Sequence, residues 1–578
     1  MPTVATNLLA RTASLATFIL AATCAQSAQA DVSLPKIFGD HMVLQQNATL
    51  PIWGWADAGE KVTVEFAGQS IATTTGDDKR WRVDLQPIAA SNEGQVLTIR
   101  GNNVVQCNDV VTGDVWLASG QSNMEFGLQI ADGGKEAIAK ANDRLLRLFL
   151  VPYSSSLQPM PDIAAVPADS LEGKWHVVTP ELLSARWGSN GFSAIGYYFG
   201  RNIRATTQQP IGIIGCYKGG TAGQTWVSID GLNSDLALAP FVKRHQDWVA
   251  GYEEAAKIFP AKQAAFEADT ETWNRQVRPT FITAMEAYNA AAKQAAANGS
   301  PLPPKPVPSR PRPQRPIPPD GGFYGPTNLF NAMVSPIVPF AMKGVVWYQG
   351  ESNTSTLAQA LQYEILFRSL ILDWRNKWNA TDLPFIYVQL AGYIPAKNFG
   401  AGNWIWLRES QANVLGLPHT AMASAVDLGD PTDAHPKDKS HIANRLTLAA
   451  RQLVYGESII ASGPIYASMK VVGNKIQISF TEPANGLTIA APPWKATSAT
   501  PVDTTRLSGF TIAGEDRKFV NATATIDNNT VVVSNDTIQA PIAVRYNWSD
   551  LPTGNLYNTA GLPALPFRTD DWEPAAVE

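Results

Sequence analysis

Residues 119–124 read Ser-Gly-Gln-Ser-Asn-Met and follow the strand-like run Asp114-Val115-Trp116-Leu117-Ala118, so Ser122 stands where a buried strand turns sharply toward a helix. A hydroxyl at the C-terminal end of a strand is held at the mouth of a sheet. The helix beyond it offers unpaired N–H groups and a positive dipole to a developing oxyanion. That is the placement of a hydrolytic nucleophile, while the same residues also serve as a polar turn with Ser122 capping the helix.

A serine hydroxyl needs a neutral histidine within hydrogen-bond reach to take its proton. The chain has six histidines. His41 falls in an N-terminal β segment, His176 beside Trp175, His245 in an Ala-rich helical stretch, His419 just before the strand containing Met422 and Ala423, and His441 on a helix face. His435 alone sits in an Asp/Gly-rich loop directly before a helix, with Pro436 suited to that helix's first turn. It is the expected base.

Three further blocks follow the serine. They are Ile211-Gly212-Ile213-Ile214-Gly215-Cys216-Tyr217 leading into Lys218-Gly219-Gly220-Thr221, then Gly344-Val345-Val346-Trp347-Tyr348-Gln349-Gly350-Glu351-Ser352-Asn353, then Asp427-Leu428-Gly429-Asp430-Pro431-Thr432-Asp433-Ala434-His435-Pro436. In this order the four blocks resemble the SGNH (GDSL-like) hydrolases, and more closely their sialate O-acetylesterase-like carbohydrate esterase branch. The resemblance implies a three-layer, flavodoxin-like α/β fold with a parallel sheet. It also implies an oxyanion hole made by the backbone N–H of Ser122, a backbone N–H from Gly219-Gly220 and the side-chain amide of Asn353. Glycine lets a backbone approach the acyl group closely, and a neutral amide donates without titrating.

The usual SGNH pattern places the acid that orients the histidine three residues before it, and here that position is Thr432. Asp433, two before, is ranked first. Glu351 comes next, because a glutamate in the matching block takes this part in some related acetylesterases. Asp430 is third, since Asp-Pro readily forms a turn. Gln121, Trp226, Tyr348 and Trp404, in or beside loops at the C-terminal ends of strands, are the expected substrate contacts. Trp406 is a neighbouring aromatic, and packing is the commoner use of any buried tryptophan.

The elements that must hold these residues follow from periodicity. Residues 31–108 alternate apolar and polar over short runs, as in Lys61-Val62-Thr63-Val64-Glu65-Phe66, which predicts a small β-sandwich. From 109 to 455 strands alternate with helices, the signature of a helix-covered parallel sheet. Strands are expected near 113–118, 145–151, 211–217, 343–349 and 384–391, and helices over 193–206, 355–377 and 437–455. An insertion near 240–320 joins an Ala/Glu/Lys/Gln-rich helical stretch to a polyproline strap over 301–319, expected to lie as a surface excursion pinned along the domain. Residues 456–578 return to short strands in a second flanking β domain.

At 578 residues the chain suggests about three domains. Its formal net charge of −5 gives no basic face for nucleic acid. The N-terminus carries Arg11, the apolar run Leu15–Ala22 and Ala28-Gln29-Ala30, the layout of a signal peptide over 1–30 that is too short to span a bilayer comfortably. Export to the periplasm or medium is expected. Removal of Cys24 leaves Cys107 and Cys216, so no disulfide framework is needed. Cys216, in an apolar strand, reads as a small buried hydrophobe. No metal-ligand spacing or nucleotide fingerprint stands out, and no cofactor is expected. The reading is a serine esterase that removes O-acetyl groups from a carbohydrate, either sialic acid or a plant cell-wall polysaccharide such as xylan or xyloglucan. A carbohydrate-binding protein with a vestigial hydrolase core is the alternative.

Overall fold

The computed structural model describes residues 31–188, 191–298, 301, 303–395, 401–481, 486–491 and 503–574, so the expected signal segment 1–30 lies outside the described residues. Six strands come first: β1 (Val43–Gln45), β2 (Leu50–Trp55), β3 (Lys61–Phe66), β4 (Gln69–Thr74), β5 (Arg80–Leu85) and β6 (Ser91–Arg100). Alternation buries Val62, Val64 and Phe66 of β3 and Trp81, Val83 and Leu85 of β5, as expected of strands with one face on a core. These side chains belong to the same hydrophobic cluster as the sheet that follows. The link is β7 (Val104–Gly120), whose first half pairs with β6 and β1 while its second half enters a parallel sheet. Residue 108 therefore lies inside one continuous strand.

The large sheet runs β13-β12-β11-β7-β10-β8-β9. Its further members are β8 (Asp143–Leu150), β9 (Trp175–Val178), β10 (Ile211–Tyr217), β11 (Gly344–Tyr348), β12 (Phe385–Gln389) and β13 (Thr420–Ser424). Neighbours are parallel except β8 and β9. The central strands are buried along their whole length, because helices cover both faces. Trp116 of β7 meets Phe199 of the helix Ala194–Thr207 at 5.0 Å. Trp347 of β11 pairs beside Ser119, an odd number of residues from Trp116, and so points to the other face. There it stacks on Phe367 of the helix Leu357–Lys377 at 6.0 Å.

The insertion forms two helices, Ala239–Gln276 and Arg278–Asn298. Among the described side chains of the first, only Phe241, His245 and Trp273 are buried. The proline-rich strap returns along the pair, held by the Trp273 indole N–H donating to the carbonyl of Arg310 (2.9 Å) and by an Arg310–Asp269 ion pair (3.1 Å). Past Ser462 the chain forms small antiparallel sheets around a second cluster that includes Ile476, Ile478, Phe510, Val531 and Val544. This β region braces the loop after β13. The buried carboxylate of Asp427 accepts two hydrogen bonds from Arg445 (2.6 and 2.8 Å) and one from the hydroxyl of Tyr557 (2.9 Å).

Candidate active site

Register assembles the site. Gly120 is level with Tyr217 on one side and Tyr348 on the other. The chain therefore leaves three adjacent parallel strands in one row, and Ser122, Gly219 and Glu351 follow within three residues. Gly120 has φ +138°, and a Cβ there would lie 2.1 Å from the carbonyl oxygen of Tyr348, so only glycine passes the turn into Ser122. The helix after it, Ser122–Glu125, is a single turn. Its dipole is correspondingly small, and individual N–H groups, not the expected macrodipole, are what it offers.

The histidine comes from further away. β13 lies three strands from β7, about 14 Å at the usual strand spacing, and the loop after Ser424 crosses that distance. His435 Nε2 reaches Ser122 Oγ at 2.9 Å, and His435 Nδ1 reaches Asp433 Oδ1 at 3.0 Å. The same Asp433 oxygen accepts the backbone N–H of His435 at 2.9 Å. Asp430 instead closes a turn, accepting from Thr432 and from the backbone N–H of Asp433. The following helix begins at Lys439 with Asp438 as its cap, so Pro436 precedes it and does not occupy its first turn.

Glu351 is not hydrogen-bonded to the imidazole. Its Oε1 accepts from Asn123 Nδ2 at 2.5 Å, and its Oε2 is buried with no hydrogen-bond partner among the described residues. Burial raises its pKa above the ordinary carboxylate value, opposed by the Asn123 hydrogen bond and by the His435 and Lys439 charges. Among the expected oxyanion donors, the N–H of Gly219 is already given to Glu125 Oε2 at 2.5 Å. Glycine is required there by proximity, since a Cβ would stand 2.7 Å from that oxygen and 3.3 Å from Ser122 Cβ. The backbone N–H groups of Ser122 and Gly220 have no acceptor among the described residues. Asn353 is buried and its amide is oriented on three sides. Oδ1 accepts from Gly223 N and Gln349 Nε2, both at 2.8 Å, and Nδ2 donates to Gln224 at 3.1 Å, leaving a second Nδ2 hydrogen.

The expected substrate contacts do not reach solvent. Trp226 and Tyr348 are 0 % exposed, Gln121 2 % and Trp404 3 %. Trp226 packs edge-on to Trp347 and donates to Thr221 Oγ1. Gln121 Oε1 accepts from Gln349, Gly350 and Ser352. Trp404 packs against Tyr393, and the neighbouring Trp406 against Trp548. Sealed by their neighbours, these side chains present no face to a sugar in this structure. Cys216 is fully buried within β10. Among the described residues no cluster of three His, Cys, Asp or Glu side chains could hold a metal ion, and no helix is long and apolar enough to cross a membrane.

Comparison with known proteins gives the chemistry a family. The family of carbohydrate esterases described as sialic acid-specific acetylesterases matches residues 322–453. A solved structure described as a novel carbohydrate acetylesterase from Xanthomonas citri is 32 % identical, covering 94 % of this chain and 100 % of its own, with a TM-score of 0.71. The chain belongs to the carbohydrate acetylesterases. Sialate O-acetylesterases of Mus musculus (28 % identical; 80 % of this chain, 81 % of the relative) and Homo sapiens (28 %; 76 % and 74 %) are further relatives. As a carbohydrate O-acetylesterase the protein is an enzyme, which removes the vestigial binding-protein alternative.

Two residues of this candidate site escaped sequence reasoning. Asn123 sits inside the serine block, and Lys439, fully buried, donates to Asn123 Oδ1 at 2.5 Å. A lysine in the first turn of a helix opposes the helix dipole, and that misfit was the available signal.

Proposed function

We propose that the chain is a serine esterase removing O-acetyl groups from a carbohydrate through an acetyl-enzyme. The Asp433–His435–Ser122 chain of contacts at 3.0 and 2.9 Å carries this reading. His435 Nε2 takes the Ser122 proton as Oγ attacks the acetyl carbonyl, and Asp433 fixes the tautomer and stabilises the imidazolium. The N–H groups of Ser122 and Gly220 and the free Nδ2 hydrogen of Asn353 receive the oxyanion. Collapse expels the sugar alkoxide, which takes the proton from His435, and water repeats the sequence to release acetate. The parallel sheet with helices on both faces supports the three-layer SGNH arrangement over 109–455, with β regions over 31–108 and 456–578. The relatives' names favour an acetylated sialic acid, and acetylated xylan or xyloglucan offers the same ester. Export of the chain, guided by residues 1–30, would bring it to such polymers.

Ser122→Ala tests the mechanism. Turnover of nitrophenyl acetate should vanish with Tm unchanged, and mass spectrometry of quenched wild type should find an acetyl adduct on Ser122. Normal turnover by the variant refutes the nucleophile. Acetate release across acetylated sialic acids, xylan and xyloglucan identifies the sugar.

A further inference from the structure

Asn123, next to the nucleophile, makes three hydrogen bonds to three other segments. Its Nδ2 donates to Glu351 Oε1 (2.5 Å) in the loop after β11 and to the carbonyl of Ala434 (2.9 Å), the residue before His435. Its Oδ1 accepts from Lys439 Nζ (2.5 Å) on the helix after the histidine loop. Both side chains are buried, Asn123 at 1 % exposure and Lys439 at 0 %. An amide has two faces of opposite polarity, and a flipped Asn123 would turn its oxygen on the Ala434 carbonyl and the Glu351 carboxylate. Lysine prevents this. As an ammonium its nitrogen carries donors and no acceptor, so the amide oxygen is the atom drawn to it, whereas another amide at 439 could donate or accept.

We propose that Asn123 and Lys439 are positioning residues that set the distance between Ser122 and His435, with Lys439 fixing the orientation of the Asn123 amide. The inference rests on the serine mechanism proposed above. The tie works because Asn123 is bonded covalently to Ser122 and hydrogen-bonded to Ala434, the residue beside His435, so the nucleophile and its base share one short connection. Besides it, the histidine loop is secured by the His435–Ser122 hydrogen bond itself and, further out, by the Lys437 carbonyl accepting from the backbone N–H of Asp132 (3.0 Å). The half-exposed pair His435 and Asp433 has little packing to replace that tie. Burial pulls Lys439 down to about 7, opposed by Glu351, Asp433 and Asp438, and its nitrogen also lies over the rings of Phe126 and Tyr348, 4.6 and 5.5 Å from their centroids. Glu351, on the other side of Asn123, faces His435 and Lys439 as cations and Tyr348 and Tyr363 as buried phenols.

A double-mutant cycle tests the proposal. Displacing a catalytic group by about 1 Å costs on the order of 10²-fold in rate. Asn123→Ala should therefore lower kcat about 100-fold on nitrophenyl acetate with KM nearly unchanged, and the rate of Ser122 labelling by a small phosphonate should fall in parallel. Lys439→Met should lower kcat about 10-fold. The double variant should be no worse than Asn123→Ala, because Lys439 then has no amide to orient. Losses that multiply to about 10³-fold, or an Asn123→Ala enzyme with normal kcat, would overturn the assignment. If Lys439→Met does not fold, Asn123→Asp takes its place. It keeps the acceptor for Lys439 but opposes Ala434 and Glu351 with a carboxylate, so it should lose at least as much as alanine, and near-normal turnover would be fatal. Activity surviving in Ser122→Ala would instead refute the serine mechanism, whereas a dead Ser122→Ala beside additive Asn123 and Lys439 losses refutes only the positioning role.

Discussion

Replacing Asp433 by asparagine removes one charge from the acid–histidine pair while leaving an oxygen that still accepts from His435. In the wild type the carboxylate oxygen lies 3.0 Å from His435 Nδ1, with the two side chains 51 % and 38 % exposed. Two unit charges about 4 Å apart are worth about 1 kcal/mol in water and about 4 kcal/mol near a protein surface with an effective dielectric constant of about 20. Half exposure and solvent screening place this pair between those limits, at about 2–3 kcal/mol. In the proposed mechanism the imidazolium forms only as Ser122 attacks, so the loss falls on kcat, about 30- to 150-fold. That is well short of the roughly 10⁴-fold cost known for a fully buried acid in such a triad. Glu351→Gln keeps an acceptor for Asn123 and never touched the imidazole, so its loss should be smaller. Steady-state kinetics on nitrophenyl acetate and an acetylated sugar, with Tm measured for each variant, decide the matter. An Asp433→Asn enzyme within twofold of wild type, or a larger loss in Glu351→Gln, refutes the reasoning.

Asn353→Asp should lower kcat about 10²–10³-fold on both substrates, because it replaces an oxyanion donor by a negative charge; a defect confined to KM on the sugar would make Asn353 a recognition residue. Trp226→Ala should cost about 3–5 kcal/mol of stability, as expected for truncating a large buried aromatic, and should lower Tm; an unchanged Tm with a raised KM would restore its role as a sugar platform. Lys439 titrates near 7 in the folded chain against an ordinary 10.5. Between those values the unfolded chain holds a proton that the folded one has released, so this group makes stability rise with pH. The Tm of Lys439→Met relative to wild type should therefore fall between pH 7 and pH 9, and a difference independent of pH would contradict the burial of that amine.

Periodicity carried much of the fold. The runs around 113–118, 211–217 and 343–349 are apolar throughout because both faces of the sheet are covered, and they form β7, β10 and β11. Residue type and loop context singled out Ser122 and His435, which the fold brings to 2.9 Å, and placed Asp433 within reach, because two residues of backbone allow a side chain to fold back on the imidazole. Burial was not legible. Trp226, Tyr348, Trp404 and Gln121 stand near the mouth of the sheet in sequence, yet packing from the helices Leu357–Lys377 and Trp404–Asn413 and from neighbouring loops closes them off. Direction was not legible either. Gly219 and Gly220 are equivalent in one dimension, and only the approach of Glu125 engages one N–H and leaves the other. The contacts among Asn123, Glu351, Ala434 and Lys439 join residues as many as 316 positions apart. Local sequence sets which atoms can donate and accept, whereas the order and register of parallel strands decide which of them meet.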